Sequence, residues 1–173
     1  MKINKKKIFK WSAIISGIFI AVALIGSIIY GALIVQFLSI VKPKVIDRKV
    51  ITSTYNDNKS NFANVVEFIR KINADVYIER VGNNKYSIKK SVDNGLKDIE
   101  VPNEKIDEDI KYILYKLNFE YISVDLGSIF FTTPTSFGFQ QGIAYSIDGK
   151  KPRPYRPRVL ENIDRGWYYY EGE

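Results

Sequence analysis

The chain has 173 residues, with 26 Lys or Arg against 19 Asp or Glu and a formal charge of +7, and it contains neither Cys nor His. That length leaves room for one domain and a flanking segment, since a domain runs to about 100–200 residues. The missing residue types exclude disulfides, thiol nucleophiles, His-dependent triads and the common zinc sites, leaving chemistry to Lys, Asp, Glu, Ser, Thr, Tyr or an oxygen-bound cation.

The first ten residues carry Lys2, Lys5, Lys6, Lys7 and Lys10, so from residue 42 onward 21 basic residues face 19 acidic ones. The high overall charge therefore belongs to the tail, and nucleic acid is not an expected partner. From Trp11 to Val41, 31 residues pass without a charged side chain, whereas about 20 apolar residues suffice to cross a bilayer's hydrocarbon core. The expectation is a transmembrane signal anchor over 11–41, with the lysine tail inside and the C-terminal part outside the cell membrane. The run exceeds the about 7–15 apolar residues of a cleaved leader. Trp11 and Tyr30 or Phe37 suit the two interfaces. Ala13, Gly17 and Ala21, and again Ala23, Ser27 and Gly31, recur every four residues, a spacing that favours helix–helix association within lipid.

Lys42-Pro43-Lys44 breaks this run, and residues 42–58 read as a juxtamembrane connector holding a short helix or strand near Val45–Thr54. The domain is expected over 59–173. Phe62, Val65, Val66, Ile69 and Ile72 mark one face of a helix with Asn58 or Ser60 as its cap. Asp75–Val81 and Lys85–Val92 form a hairpin through Gly82-Asn83-Asn84. A short extended piece follows at Asp98–Val101. Next comes a second helix, capped by Asn103 and carried by Ile106, Ile110, Ile113, Leu114 and Leu117; its acidic first turn suits the helix dipole.

Strands are expected at Phe119–Asp125, Ser128–Thr133, Phe139–Ile147 and Gly166–Tyr170. The resulting fold class is α+β, a transmembrane helix followed by a two-layer domain with a mainly antiparallel sheet and about two helices.

Two segments stand out as candidate binding features. Residues 150–158 pack five basic residues, Lys150, Lys151, Arg153, Arg156 and Arg158, among three prolines. Proline keeps such a stretch extended and out of helices. Without those five cations the rest of the chain from residue 42 has 16 basic against 19 acidic residues, so the segment is a positive feature on a slightly negative body. Its arginines suit phosphate or carboxylate forks. The bland reading is a solvated link between two strands. In Gly166–Glu171, Trp167 and Tyr169 face one way and Tyr168 and Tyr170 the other; the expected aromatic surface is Trp167 with Tyr169, against a core role for all four.

Gly142-Ile143-Ala144-Tyr145-Ser146 and the terminal Gly166-Trp167-Tyr168-Tyr169-Tyr170-Glu171 resemble the closing segment of small Gram-positive bacterial proteins of no established activity. The resemblance covers residues 142–171 and implies lineage, not a reaction or a functional residue. Ser146 has no nucleophile-elbow pattern around it, and no phosphate-cradling glycine motif occurs. No catalytic residue, metal or cofactor is expected.

The leading expectation is a non-enzymatic binding module outside the membrane, contacting an envelope protein or an anionic polymer or surface. The rivals are a carboxylate-dependent hydrolase of envelope glycans or phosphates, which needs two facing carboxylates, and an accessory or protective subunit of a membrane complex.

Overall fold

A computed structural model describes residues 25–34, 36, 45–93, 95–134 and 138–172. The chain divides into two compact units, Met1–Lys42 and Pro43–Glu173. In the first, residues 25–34 and 36 are helical (α1), and Ile25, Ile28, Ile29 and Leu33 are exposed. Ten consecutive helical residues rise about 15 Å, half of the about 30 Å of a hydrocarbon core. Among the described residues no helix is long and apolar enough to cross a membrane. This corrects the expected transmembrane helix over 11–41. A charge-free run fixes composition but not helix length, and α1 as described is too short. Of the other features expected there, Tyr30, Ser27 and Gly31 fall on α1, whereas Trp11, Phe37 and the strip Ala13, Gly17 and Ala21 lie outside the described residues.

The second unit has a helix in the stretch read as a connector, near the short helix or strand expected at Val45–Thr54. Asp47 accepts a hydrogen bond from the Lys49 amide at 2.8 Å and starts α2 (Arg48–Asp57). Ile51 and Tyr55, four residues apart on one face, are buried in the domain core, so residues 48–57 belong to the domain. Asn58 ends α2 and opens α3 (Lys59–Ile72), with its Nδ2 donating to the Thr54 carbonyl at 2.8 Å. On α3 the face Phe62, Val65, Val66 and Ile69 is buried as its spacing predicts, with Phe68 beside it. Asn73, left-handed at φ 49°, turns the chain into the sheet.

The sheet strands are β1 (Val76–Arg80), β2 (Tyr86–Val92), β3 (Gly95–Asp98), β4 (Tyr121–Asp125), β5 (Ser128–Thr132), β6 (Gln140–Ser146), β7 (Pro157–Asp164) and β8 (Trp167–Gly172). Helix α4 (Glu104–Lys111) stands between β3 and β4. Asn103 caps it by accepting from the Ile106 amide at 3.0 Å, and the helix widens into a π turn over Tyr112–Lys116. All eight strands join one antiparallel sheet in the order β3-β2-β1-β4-β5-β6-β8-β7. Among the described residues the unit is thus α+β, with three α-helices where about two were expected. β7 was not expected, and β3 overlaps the expected extended piece only at Asp98.

Alternation along the strands sends Ile78, Ile122, Ile129, Phe131, Ile143, Trp167 and Tyr169 into the main core with the buried faces of the helices. Phe62 is the hub of that core. Its ring lies 5.0 Å from Phe131 and 5.5 Å from Phe119, both edge-on, and 5.7 Å from Tyr55. Edge-to-face pairs of this kind add about 0.5–1.5 kcal/mol beyond area burial.

Ion pairs tie the outer strand to the helices: Arg48 meets Glu161, and Lys59 Nζ reaches Asp164 at 2.5 Å. Truncating Phe62 to Ala is expected to lower the unfolding free energy by about 3–5 kcal/mol, read as a lower midpoint in urea with little change in slope. A loss under 1 kcal/mol would show that Phe62 is not the hub.

Candidate functional site

The basic segment owes its position to strand order. β6 and β7 are each antiparallel to β8 and lie on either side of it, so they run parallel to each other. β6 ends beside the start of β8, where Tyr145 pairs with Trp167, while β7 starts at the far end, where Pro157 pairs with Gly172. Residues 147–156 must therefore travel the length of β8. Six strand residues extend about 20 Å, and ten residues in extended form reach about 31–34 Å. The link has the reach with one turn to spare. That turn is Asp148-Gly149, where Asp148 Oδ1 accepts from the Lys150 amide at 2.9 Å and Gly149 adopts φ 76°. Donation by the Lys150 amide, with help from its ammonium group, holds the Asp148 carboxyl below the usual carboxylate range.

The link crosses the sheet on the face away from the helices. Gly172 shares the parity of Tyr168 and Tyr170, and a Cβ there would run into the Tyr155 carbonyl oxygen and lie 3.3 Å from that of Arg156. The absence of a side chain at 172 lets the strap lie flat. The same face carries a second apolar cluster, Phe130, Ala144 and Tyr170, with Leu160 and Tyr168 packed against it. There Phe130 meets Tyr170 edge-on at 5.2 Å, and the Tyr170 hydroxyl is 2.7 Å from Thr132 Oγ1.

Burial alternates along the strap. Pro152 and Pro154 are buried; Lys151, Arg153 and Tyr155 are exposed. The prolines thus face inward and every second residue outward, as in any extended chain lying on a surface. Proline suits the inner positions because it brings apolar bulk and no amide donor needing a partner.

The structure strings the expected cations along this strip without making them equivalent. Lys150 is turned back to Asp148, its Nζ 3.5 Å from Oδ2. Lys151 and Arg153 project outward, and among the described residues neither has an ion-pair partner. Arg156, at φ 41°, places its guanidinium 5.3 Å from the centre of the Tyr155 ring. Arg158 lies at the start of β7, 5.9 Å from the Phe139 ring. Tyr155 itself, 65% exposed, was missed. The sequence signal for it was the alternation Lys-Pro-Arg-Pro-Tyr, which places Tyr155 in phase with Lys151 and Arg153.

The expected aromatic surface is corrected. Trp167 is 8% and Tyr169 0% exposed. Trp167 packs 4.9 Å from both Tyr55 and Tyr145, and Tyr169 donates to Glu171 Oε1 at 2.5 Å beneath the Arg48 guanidinium. Burial and that neighbouring carboxylate push the Tyr169 hydroxyl pKa upward. Neither ring is open for stacking. The parity was read correctly, but it is the helix-covered face that holds this pair.

One open cleft, of about 590 Å³, is lined by Ile69, Arg70, Asp75, Asp93, Val124 and Ile147 among others, and both aspartates are exposed. The buried Asp109 is taken up by Asn61 and Asn64, whose amides donate to it at 2.6 and 2.8 Å and fasten α3 to α4. Among the described residues no group of three or more His, Cys, Asp or Glu is placed to hold a metal ion.

Gly172→Ala tests the fit of the strap without changing a charge. It is expected to raise the relaxation enhancement that a soluble paramagnetic agent produces at the side-chain protons of the buried Pro152 and Pro154, while the amides of α3 and β5 stay protected from hydrogen exchange. Unchanged enhancement at both prolines would mean that the strap does not rest on Gly172. Comparison with known protein families, curated proteins and solved structures finds no match to this chain.

Proposed function

We propose that the Pro43–Glu173 unit is a non-enzymatic binding module that holds an acidic envelope protein or an anionic polymer against its basic strap. The observation that carries this reading is the alternation of buried proline and exposed cation between Lys151 and Tyr155. Flexible surface cations lose side-chain and backbone freedom when they pair, so one exposed pair yields about 0.2–1 kcal/mol. A strap already pinned along the sheet has given up its backbone freedom on folding. Its cations then act together at a smaller entropic cost.

The working place proposed is the outer face of the cytoplasmic membrane. The lysines at positions 2, 5, 6, 7 and 10 beside a long uncharged stretch support it. A module held near its partner profits from high effective concentration, so contacts that are weak singly become sufficient.

The test uses the full-length chain with a photo-crosslinking residue at position 155 in intact cells. A discrete adduct is expected, lost in the variant Lys151→Ser/Arg153→Ser/Arg156→Ser and retained in Lys97→Ser/Lys105→Ser/Lys116→Ser, which removes the same charge from other exposed positions. Equal loss in both variants would reduce the strap to bulk charge and overturn the reading, as would adducts indifferent to either. A protease added outside intact cells should reach the unit; full protection would overturn the location.

A further inference from the structure

The geometry points to an extended acidic segment of a partner protein as the strap's ligand, with carboxylates on alternate residues opposite Lys151 and Arg153 and an apolar residue against Tyr155. This rests on the binding role just proposed and names the class of partner.

The argument begins with period. Along the strap the outward residues are Lys151, Arg153 and Tyr155, every second one, with Pro152 and Pro154 turned to the sheet. The alternating burial is that of extended, strand-like backbone, in which every second side chain falls on one side about 6.6–6.8 Å from the last. An extended peptide laid alongside keeps its own alternate side chains opposite these three to within about 1 Å over the strip. A ligand with a different repeat falls out of step.

Chemistry narrows the choice further. Lys151 and Arg153 have no ion-pair partner among the described residues, so their charge is unspent. An arginine fork matches a carboxylate in two parallel hydrogen bonds. Tyr155 adds what a chain of phosphates has no use for. Tyr155 is 65% exposed, and the Arg156 guanidinium lies 5.3 Å from the centre of its ring. An exposed tyrosine beside arginines has the composition that is enriched where protein–protein contacts carry their energy. A Lys-Arg-Tyr row in step with a strand therefore fits two acidic residues followed by an apolar one.

Position makes the strip accessible. Gly172 leaves the strap no room to sink and no side chain to lift it. Arg156, in the left-handed region at φ 41°, turns the chain from the strap into β7, so the row ends at Tyr155. A partner segment of about five residues covers it.

The experiment measures binding of the full-length protein to three labelled probes by fluorescence anisotropy at 0.15 M salt. One peptide carries Glu at alternate positions followed by Leu in the same phase; the second has the same composition with the Glu residues contiguous; the third probe is inorganic polyphosphate of equal charge. The alternating peptide is expected to bind about tenfold more tightly than its isomer, the equivalent of about 1.4 kcal/mol. Tyr155→Ala is expected to remove most of that preference while leaving the circular dichroism unchanged.

Equal affinity for the two peptides overturns the register argument and leaves an anion-binding strap. Tighter binding of polyphosphate than of either peptide overturns the protein partner in favour of a phosphate polymer. If none of the three binds even at 0.02 M salt, the strap's role in binding anions falls with it.

Discussion

β8 lies between β6 and β7, and that single exchange of strand order obliges residues 147–156 to cross the sheet. Had β7 followed β6 as its hairpin partner, the Lys-Pro-Arg-Pro-Tyr stretch would be a solvated loop with no fixed face. Because the ends are set by two strand registers, the link is drawn out along β8 and rests on the surface beneath it. A charged segment that would otherwise sample many conformations becomes a row with one side committed to the sheet.

What holds the strap is apolar and steric, and what it displays is charged. Buried Pro152 and Pro154 and the bare backbone of Gly172 secure it. Phe130, Ala144 and Tyr170 form a second cluster on the face it crosses. This division lets the cations contribute to recognition without being asked to stabilise the fold. The other ion pairs have a different task. Arg48 with Glu161 and Lys59 with Asp164 dock the helices onto the outer strand, and the carboxyl of Asp164 is held below its usual range chiefly by the Lys59 hydrogen bond.

Periodicity carried much of the fold. The 3.6-residue spacing from Phe62 to Ile72 reports one-sided burial and the Gly82-Asn83-Asn84 turn between Val- and Ile-rich runs reports a hairpin, and both elements appear where those signals place them. α2 was obscured because Val50, Ile51, Thr52 and Thr54 are β-branched and Pro43 punctuates the chain just before it; in the structure the Thr52 and Thr54 hydroxyls bond back to carbonyls four residues earlier.

β7 was hidden by Pro157 at its start and by register shifts near both ends, which break the two-residue pattern. The expected long apolar helix is a different case: among the described residues only 25–34 and 36 are helical there, too few to cross a membrane. At the site, the cations were legible as composition. Their unequal roles were not, because the turn of Lys150 back to Asp148 and the inward setting of the prolines depend on strand order, a long-range property.

The alternating exposure of the strap is most directly tested by NMR with a soluble paramagnetic agent added to the full-length protein. Relaxation enhancement of side-chain protons should be large at Lys151, Arg153 and Tyr155 and small at Pro152 and Pro154, rising and falling residue by residue. Uniformly large enhancement across all five would describe a free loop and contradict the fixed row on which the binding role depends.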